Sequence, residues 1–296
     1  MVTTDPGGRP GPISVVIPAH NEEAVLGQTL RTLLEDAAPG EFEVVVVPNG
    51  CTDATADVAR SYRGVTVLEL PASSKASALN AGEELATGFP RIYLDADIQL
   101  STACARALVA AVTPTPDGRP GLLAAAPRRV VVTAGRPLLV RAFYTINRRL
   151  PVYRDTLFGR GAIAVSRSGR DRFDRFPDAF ADDLFLNSLF AVGERAEVAS
   201  AAAVSATPLR TRDLLHRLAR VRAANRALRT TNDGVPSTRG ASWLFDVALP
   251  RPWLLPAAAC YLALTLLAEF AARRAGAQAS WGRDDSSRTT TGGGVR

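Results

Sequence analysis

Asp95-Ala96-Asp97 closes an apolar run, Arg91-Ile92-Tyr93-Leu94, that reads as a buried strand ending in charge. Two carboxylates one residue apart at a strand end are costly unless positive charge sits beside them. A hard divalent cation bridging to phosphate oxygens answers that need, because Mg²⁺ and Mn²⁺ take few carboxylates together with substrate phosphates. Taken alone, the same three residues also suit a solvated strand-to-loop turn. A second acidic pair, Asp182-Asp183, stands at the start of a helical run over 180–190. By itself such a pair suits an N-cap followed by a first-turn acid that the helix dipole favours. Lys75 is the only lysine in the chain and offers one compact positive charge.

These residues need elements to hold them. The run Ile13 to Pro18 is β-branched and strand-like. Asn21 then reads as the cap of a helix with Val25, Leu26, Leu30, Leu33 and Leu34 on one face. Strands follow at 42–47, 65–70 and 92–94, with helices from Thr52 or Asp53 and over 75–85. Apolar strands alternating with helices predict an α/β domain: a mostly parallel sheet covered on both faces. Ligands of such sheets bind beyond the carboxyl ends of the strands, where His20, Asn49 and Asp97 all fall. Beyond residue 121 the pattern is looser. It predicts a strand region at 122–132, a helix at 138–150, a short strand at 162–165 after Phe158-Gly159-Arg160-Gly161, a strand at 196–206 and an arginine-studded helix at 211–228.

Composition narrows the class. The 296 residues are 47% hydrophobic and 22% charged, enough for a sizeable core. The net charge of +6 points to anionic partners: nucleotides, phosphorylated lipids, a membrane surface or nucleic acid. Cys51, Cys104 and Cys260 are far apart, which predicts a reducing compartment and no disulfide framework. With only His20 and His216, a histidine-rich zinc site is not expected. The first residues lack the apolar core of a signal peptide, so the expected location is cytoplasmic.

Together the N-terminal motifs resemble the family 2 glycosyltransferases, nucleotide-diphospho-sugar transferases of the GT-A (Rossmann-like) fold. The resemblance is good over residues 13 to 100 and looser over 155 to 230. Val16-Ile17-Pro18-Ala19-His20-Asn21-Glu22 resembles the opening strand-loop that holds base and ribose, which implies donor contacts at Pro18, Ala19, Asn21 and Glu22. Val46-Val47-Pro48-Asn49-Gly50-Cys51-Thr52-Asp53 is similar to the second signature, with Asn49 where the family usually carries an acid, and adds Asn49 and Asp53. Lys75-Ala76-Ser77-Ala78-Leu79-Asn80-Ala81-Gly82 resembles the lysine-containing helix start. Asp95 and Asp97 fall in order as the metal-binding acids, with Asp95 toward the ribose or the metal and Lys75 at the phosphates. The resemblance puts the catalytic base at Asp183, with Asp182 as the alternative. It implies a Mg²⁺ or Mn²⁺ cofactor, a nucleoside-diphosphate sugar donor, an acceptor hydroxyl, inversion at the sugar, and no nucleic-acid partner. The Gln-x-x-Arg-Trp motif of processive relatives is absent, which favours transfer of a single sugar. Two rival classes are a nucleotidyltransferase, which would need a Gly-rich loop after the first strand, and a non-catalytic membrane-associated scaffold.

The last part of the chain differs in character. Trp253 to Ala272 is apolar apart from Glu269 and near the ~20 residues a membrane-spanning helix needs. Trp253 at one end and Arg273-Arg274 at the other resemble interfacial anchors. The expected organisation is a flexible segment 1–12, a glycosyltransferase domain 13–230, a linker and apolar membrane-associated helix 231–278, and a mobile tail 279–296. Membrane residence on the cytoplasmic side would suit a lipid-linked acceptor. The plainer role for the helix is docking on the globular core, with Glu269 as its polar contact.

Overall fold

The computed structural model describes residues 11–178, 181–231 and 243–274, with the side chains of 224–231 left aside. Most of the expected flexible N-terminus, the turn Asn232-Asp233-Gly234 and the expected tail 279–296 lie outside the described residues. The chain divides into two units: 1–130 with 151–205 and 224–238, and 131–150 with 206–223 and 239–296.

The elements, in order, are β1 (Ile13–Ala19), α1 (Leu26–Leu34), β2 (Phe42–Pro48), α2 (Thr55–Arg60), β3 (Val65–Val67), α3 (Lys75–Leu85), β4 (Arg91–Leu94), β5 (Ile98–Leu100), α4 (Thr102–Val112), β6 (Ala124–Val132), α5 (Leu138–Asn147), β7 (Ala162–Val165), α6 (Arg167–Arg170), α7 (Asp182–Leu189), β8 (Arg195–Ala206), α8 (Thr211–Thr231) and α9 (Leu255–Arg274). The sheet runs β3-β2-β1-β4-β7-β6-β8-β5. It is parallel from β3 through β4. It turns antiparallel where β7 pairs with β4 and β6 and where β8 pairs with β5.

The pleat explains why successive positions in these strands are apolar. Val15, Ile17, Val44, Val46, Ile92 and Leu94 point to one face and pack with Leu26, Leu30 and Leu33 of α1 and Leu108 of α4. Val16, Val45, Val47 and Tyr93 point to the other and pack with Leu79 of α3 and Leu184 and Leu186 of α7. A strand covered on both sides has no solvent face to mark with polar residues. The second face also contains a buried ionic cluster. Glu83 of α3 accepts from Arg91 Nη1 at 2.7 Å, from the Tyr93 hydroxyl at 2.9 Å and from Arg170 of α6.

Two expected helix starts move. α1 begins at Leu26, and Asn21 does not cap it: Asn21 adopts a left-handed φ of 53°, and its Oδ1 accepts from Thr52 N at 2.7 Å. α2 begins at Thr55, because the Asp53 carboxylate accepts from Thr55 N at 3.0 Å and holds the chain in a turn before the helix. β5, α4 and α6 had no expectation in the sequence.

In the second unit α9 lies on α5. Phe143 stacks on Tyr261 with ring centroids 5.0 Å apart, and Trp243 approaches the same tyrosine at 6.1 Å. Ala258, Tyr261, Leu264, Ala268 and Ala272 form the buried stripe of α9. Only 28% of its most apolar window is buried, and it is the one described helix long and apolar enough to cross a membrane. Glu269 pairs with Arg222 at 3.3 Å and Arg273 at 3.1 Å.

The Glu83 cluster yields a first test. Glu83→Ala leaves the Arg91 guanidinium buried without its carboxylate. It should cost about 3–5 kcal/mol in urea unfolding; a loss below about 1 kcal/mol would show the cluster to be incidental.

Candidate active site at the strand ends

β1 and β2 run side by side and release their loops at the same edge. Those loops are zipped together by polar contacts. His20 Nδ1 lies 2.7 Å from the Asn49 carbonyl oxygen, Asn21 N donates to Cys51 Sγ at 3.4 Å, and Glu22 N donates to Thr55 Oγ1 at 2.7 Å. Asn49 is fully buried. Its amide nitrogen donates to the carbonyls of Ala19 at 2.9 Å and Val47 at 3.2 Å, and its oxygen accepts from Ser74 N at 3.0 Å. The amide therefore binds β1, β2 and the cap of α3 to one another, and it is committed to the fold. A carboxylate there would set oxygen against two carbonyl oxygens, which accounts for an amide at this position. Gly50 follows with φ +57°, and a Cβ on it would fall 2.7 Å from Ser73 N. Pro18 and Ala19 are buried in β1, whereas Glu22 and Asp53 are half-buried at the rim.

The next strand end carries the acids. Asp95 N donates to Gly161 O at 2.8 Å, Thr29 Oγ1 donates to Ala96 O at 2.7 Å, and Ile98 N donates to Asp95 O at 3.1 Å. Three contacts from different elements thus fix the Asp95-Ala96-Asp97 turn, with Asp97 half-buried. Ser74 caps α3 by accepting from Ser77 N at 3.1 Å, and the next residue, Lys75, projects to the same place. Its Nζ lies 2.7 Å from Asp95 Oδ1 and 2.9 Å from Asp182 Oδ1. The one lysine of the chain therefore bridges the two acidic motifs.

Asp183 sits beside this bridge. Gly159 N donates to its Oδ2 at 2.6 Å and Leu184 N to its Oδ1 at 2.7 Å. Burial pushes the Asp182 carboxyl up to about 6; the Lys75 charge opposes that shift, and the charges of Asp183 and Asp95 add to it. Asp183 is raised too, by burial first, against the backbone donor from Gly159. Lys75 is raised above its ordinary value: burial favours the neutral amine, but the charges of Asp182 and Asp95 outweigh it.

Three residues outside the sequence expectation complete the site. Gly159 and Gly161 take φ of +70° and +71°, and a Cβ on Gly161 would lie 2.3 Å from Ile98 Cγ1. Their loop touches Asp183 at one end and Asp95 at the other, so the two glycines set the spacing of the acids. The signal was the G-x-G before a strand. Asn80 of α3 exchanges hydrogen bonds with Phe176, at 3.0 and 2.8 Å, and ties the lysine helix to the segment ahead of α7.

Among the described residues no three His, Cys, Asp or Glu side chains are grouped to hold a metal. The donors that are present still fit one. Asp95 and Asp97 are hard oxygen ligands, and Asp95 already faces a positive charge. A cation here would complete its shell from phosphate oxygens and water, as Mg²⁺ and Mn²⁺ do.

Residues 14–118 match the profile of the family described as Glycosyl transferase family 2. Over 105 residues the chain is 37% identical to validoxylamine A glucosyltransferase of Streptomyces hygroscopicus subsp. limoneus, a match that covers 33% of this chain and 23% of that protein. It is 41% identical over 58 residues to 4,4'-diaponeurosporenoate glycosyltransferase of Staphylococcus aureus strain USA300, covering 20% and 15%. The chain thus spans less than a quarter of the length of these curated relatives. Among solved structures, mannosyltransferase PcManGT from Pyrobaculum calidifontis, in complex with GDP-Man and Mn²⁺, aligns with a TM-score of 0.58 and 24% identity, over 93% of this chain and 81% of that one. Glucosyl-3-phosphoglycerate synthase from Mycobacterium tuberculosis aligns with a TM-score of 0.53 and 20% identity, over 77% and 82%.

The lysine bridge gives the second test. Lys75→Met removes the counter-ion of two carboxylates. It should cost about 2–4 kcal/mol, toward the lower end because Asp95 is 38% exposed. Without Lys75 the Asp182 carboxyl rises above its present value of about 6, so the loss should be full only above that raised value and shrink as the pH falls toward about 6. Equal stability of the variant at neutral pH would contradict the bridge. Residues 14–118 therefore resemble glycosyl transferase family 2, in a chain with the GT-A fold.

Proposed function

We propose that the protein transfers one sugar from a nucleoside diphosphate to an acceptor hydroxyl, with inversion at the anomeric carbon. The observation that carries this reading is the meeting of both acidic motifs on Lys75 at the carboxyl ends of a parallel sheet edge. Family likeness over 14–118 and the GDP-Man and Mn²⁺ of the mannosyltransferase neighbour support it.

In this reading the β1 and β2 loops, with Glu22 and Asp53 at the rim, receive base and ribose. Asp95 and Asp97 hold a divalent cation, which supplies positive charge to the departing diphosphate. Lys75 adds its ammonium on the same side and keeps Asp182 ionised. Asp183 takes the proton of the acceptor hydroxyl as its oxygen bonds to the anomeric carbon and the bond from that carbon to the diphosphate breaks. Backbone donors on both oxygens hold the Asp183 carboxylate in one orientation. Asp182 is the alternative base, and its elevated proton affinity suits that task. Burial raises both carboxyls, Asp182 to about 6, so turnover should fall as the pH drops into the range where they take up protons.

The acceptor reading follows from the second unit. An apolar α9 favours residence at the cytoplasmic face of the cell membrane and hence a lipid-linked acceptor. The two halves of the reading are independent: the donor site stands without a membrane.

Asp97→Ala should abolish transfer from a nucleotide sugar and remove the part of nucleotide affinity that depends on the cation. Full turnover in that variant, or in excess chelator, would sink the cation. Asp183→Asn should leave donor affinity within about threefold and lower kcat by about two orders of magnitude or more. If Asp182→Asn shows that split and Asp183→Asn does not, the base is Asp182.

A further inference from the structure

The outer face of α9 is as regular as its inner one. Residues 255, 262, 266, 267 and 270 are Leu, Leu, Leu, Leu and Phe, and each is exposed, Leu266 at 59% and Phe270 at 53%. At 100° per residue they span an arc of about 140°, opposite the buried stripe of Ala258, Tyr261, Leu264, Ala268 and Ala272. Alanines with Tyr261 and Leu264 form the inner stripe, leucines and Phe270 face away, and that outer arc bears no charge before Arg273. A contiguous apolar face of this extent marks an interaction surface.

Charge in the same unit names the partner. Of the 35 basic residues in the chain, twelve fall at 131–150, 206–223 and 243–274, all arginine, together with three of the 29 acids. The rest of the sequence holds 23 basic and 26 acidic residues, so the whole positive excess of the chain belongs to this unit. Arg141, Arg148 and Arg251 are exposed, as are Arg273 and Arg274 at the end of α9. Exposed Leu138, Trp253 and Phe245 accompany them. Apolar side chains ringed by arginine match an anionic lipid surface, where acyl chains take the former and headgroups the latter.

The packing decides the orientation of the helix. α9 does not stand alone: Tyr261, near its middle, stacks on Phe143 of α5, and Glu269 pairs with Arg222. α5 has ten residues, too few to cross a bilayer, and exposes Arg141. Drawing α9 through the hydrocarbon would carry α5 and the Arg222–Glu269 pair in with it. We infer that α9 lies in the plane of an anionic membrane surface, its inner stripe kept on α5 and its outer leucines and Phe270 sunk among the acyl chains, rather than spanning the bilayer. The inference rests on the membrane part of the reading above and not on sugar transfer.

The test uses the full-length protein and sealed vesicles of phosphatidylcholine, with and without phosphatidylglycerol. The protein should sediment with the anionic vesicles and about tenfold or more weakly with neutral ones. Leu266→Glu with Phe270→Glu should abolish sedimentation while leaving the circular dichroism and Tm unchanged, because both positions already face out. Arg141→Glu with Arg148→Glu reads the electrostatic half separately and should weaken binding to anionic vesicles alone. Trp253→Cys and Arg274→Cys, at the two ends of α9, should both react with a membrane-impermeant maleimide from outside, with the labelled site read by peptide mass.

Sedimentation with one end protected would overturn the in-plane orientation and leave membrane residence standing. No sedimentation with either vesicle would overturn membrane residence itself. A double Glu variant that unfolds would make the outer face part of a core, and one that breaks a stable dimer would make it a contact between copies of the chain. Either result would overturn the inference.

Discussion

Two carboxylates from distant parts of the sequence, Asp95 and Asp182, share one ammonium at the edge where the parallel strands end. Each is a poor thing to bury, and only a common positive charge makes their meeting tolerable. Much else in the first unit serves that meeting. α3 begins with a Ser74 cap so that Lys75 projects from its first turn. Asn49 pins that cap to β1 and β2, and Asn80 pins the helix to the approach of α7. The Gly159–Gly161 loop accepts from one acid's backbone and donates to the other motif's carboxylate. Two carboxylates held against one lysine suit the diphosphate and divalent cation of the proposed reaction.

The sequence disclosed the parts of this arrangement that depend on local pattern. Short apolar runs ending in Pro18, Asn49 and Asp95 marked strands buried on two faces. Helix starts at Lys75 and at Asp182 were readable because a cap or an acidic pair precedes each apolar stripe. What stayed hidden depended on distance along the chain. No local signal says that Lys75 reaches residue 182, or that Asn49 spends its amide on backbone where the resemblance suggested a grip on the base. β5 has three residues and gains its strand form from pairing with β8, more than a hundred positions away. Asn21 carries the composition of a helix cap, yet its side chain reaches the β2 loop, because the pairing of β1 with β2 brings Thr52 within reach.

The apolar segment shows the same limit at a larger scale. Its length and composition fit a membrane span, and Glu269 fits a docked helix. The packing reconciles the two. One stripe, with Tyr261 at its centre, is used on α5, Glu269 meets Arg222, and a face of large apolar residues remains outside. Hydropathy summed along a window cannot separate these faces; only the position of each residue around the helix does.

The account stands or falls on whether the acidic edge receives a diphosphate together with a cation. Calorimetric titration of the full-length protein with UDP-, GDP- and TDP-sugars, each in Mn²⁺ and in excess chelator, measures this directly. The account predicts saturable one-to-one binding for at least one of them in Mn²⁺ and a loss of affinity of about tenfold or more in chelator. Equal affinity with and without the cation, or no binding of any nucleotide sugar, would contradict it.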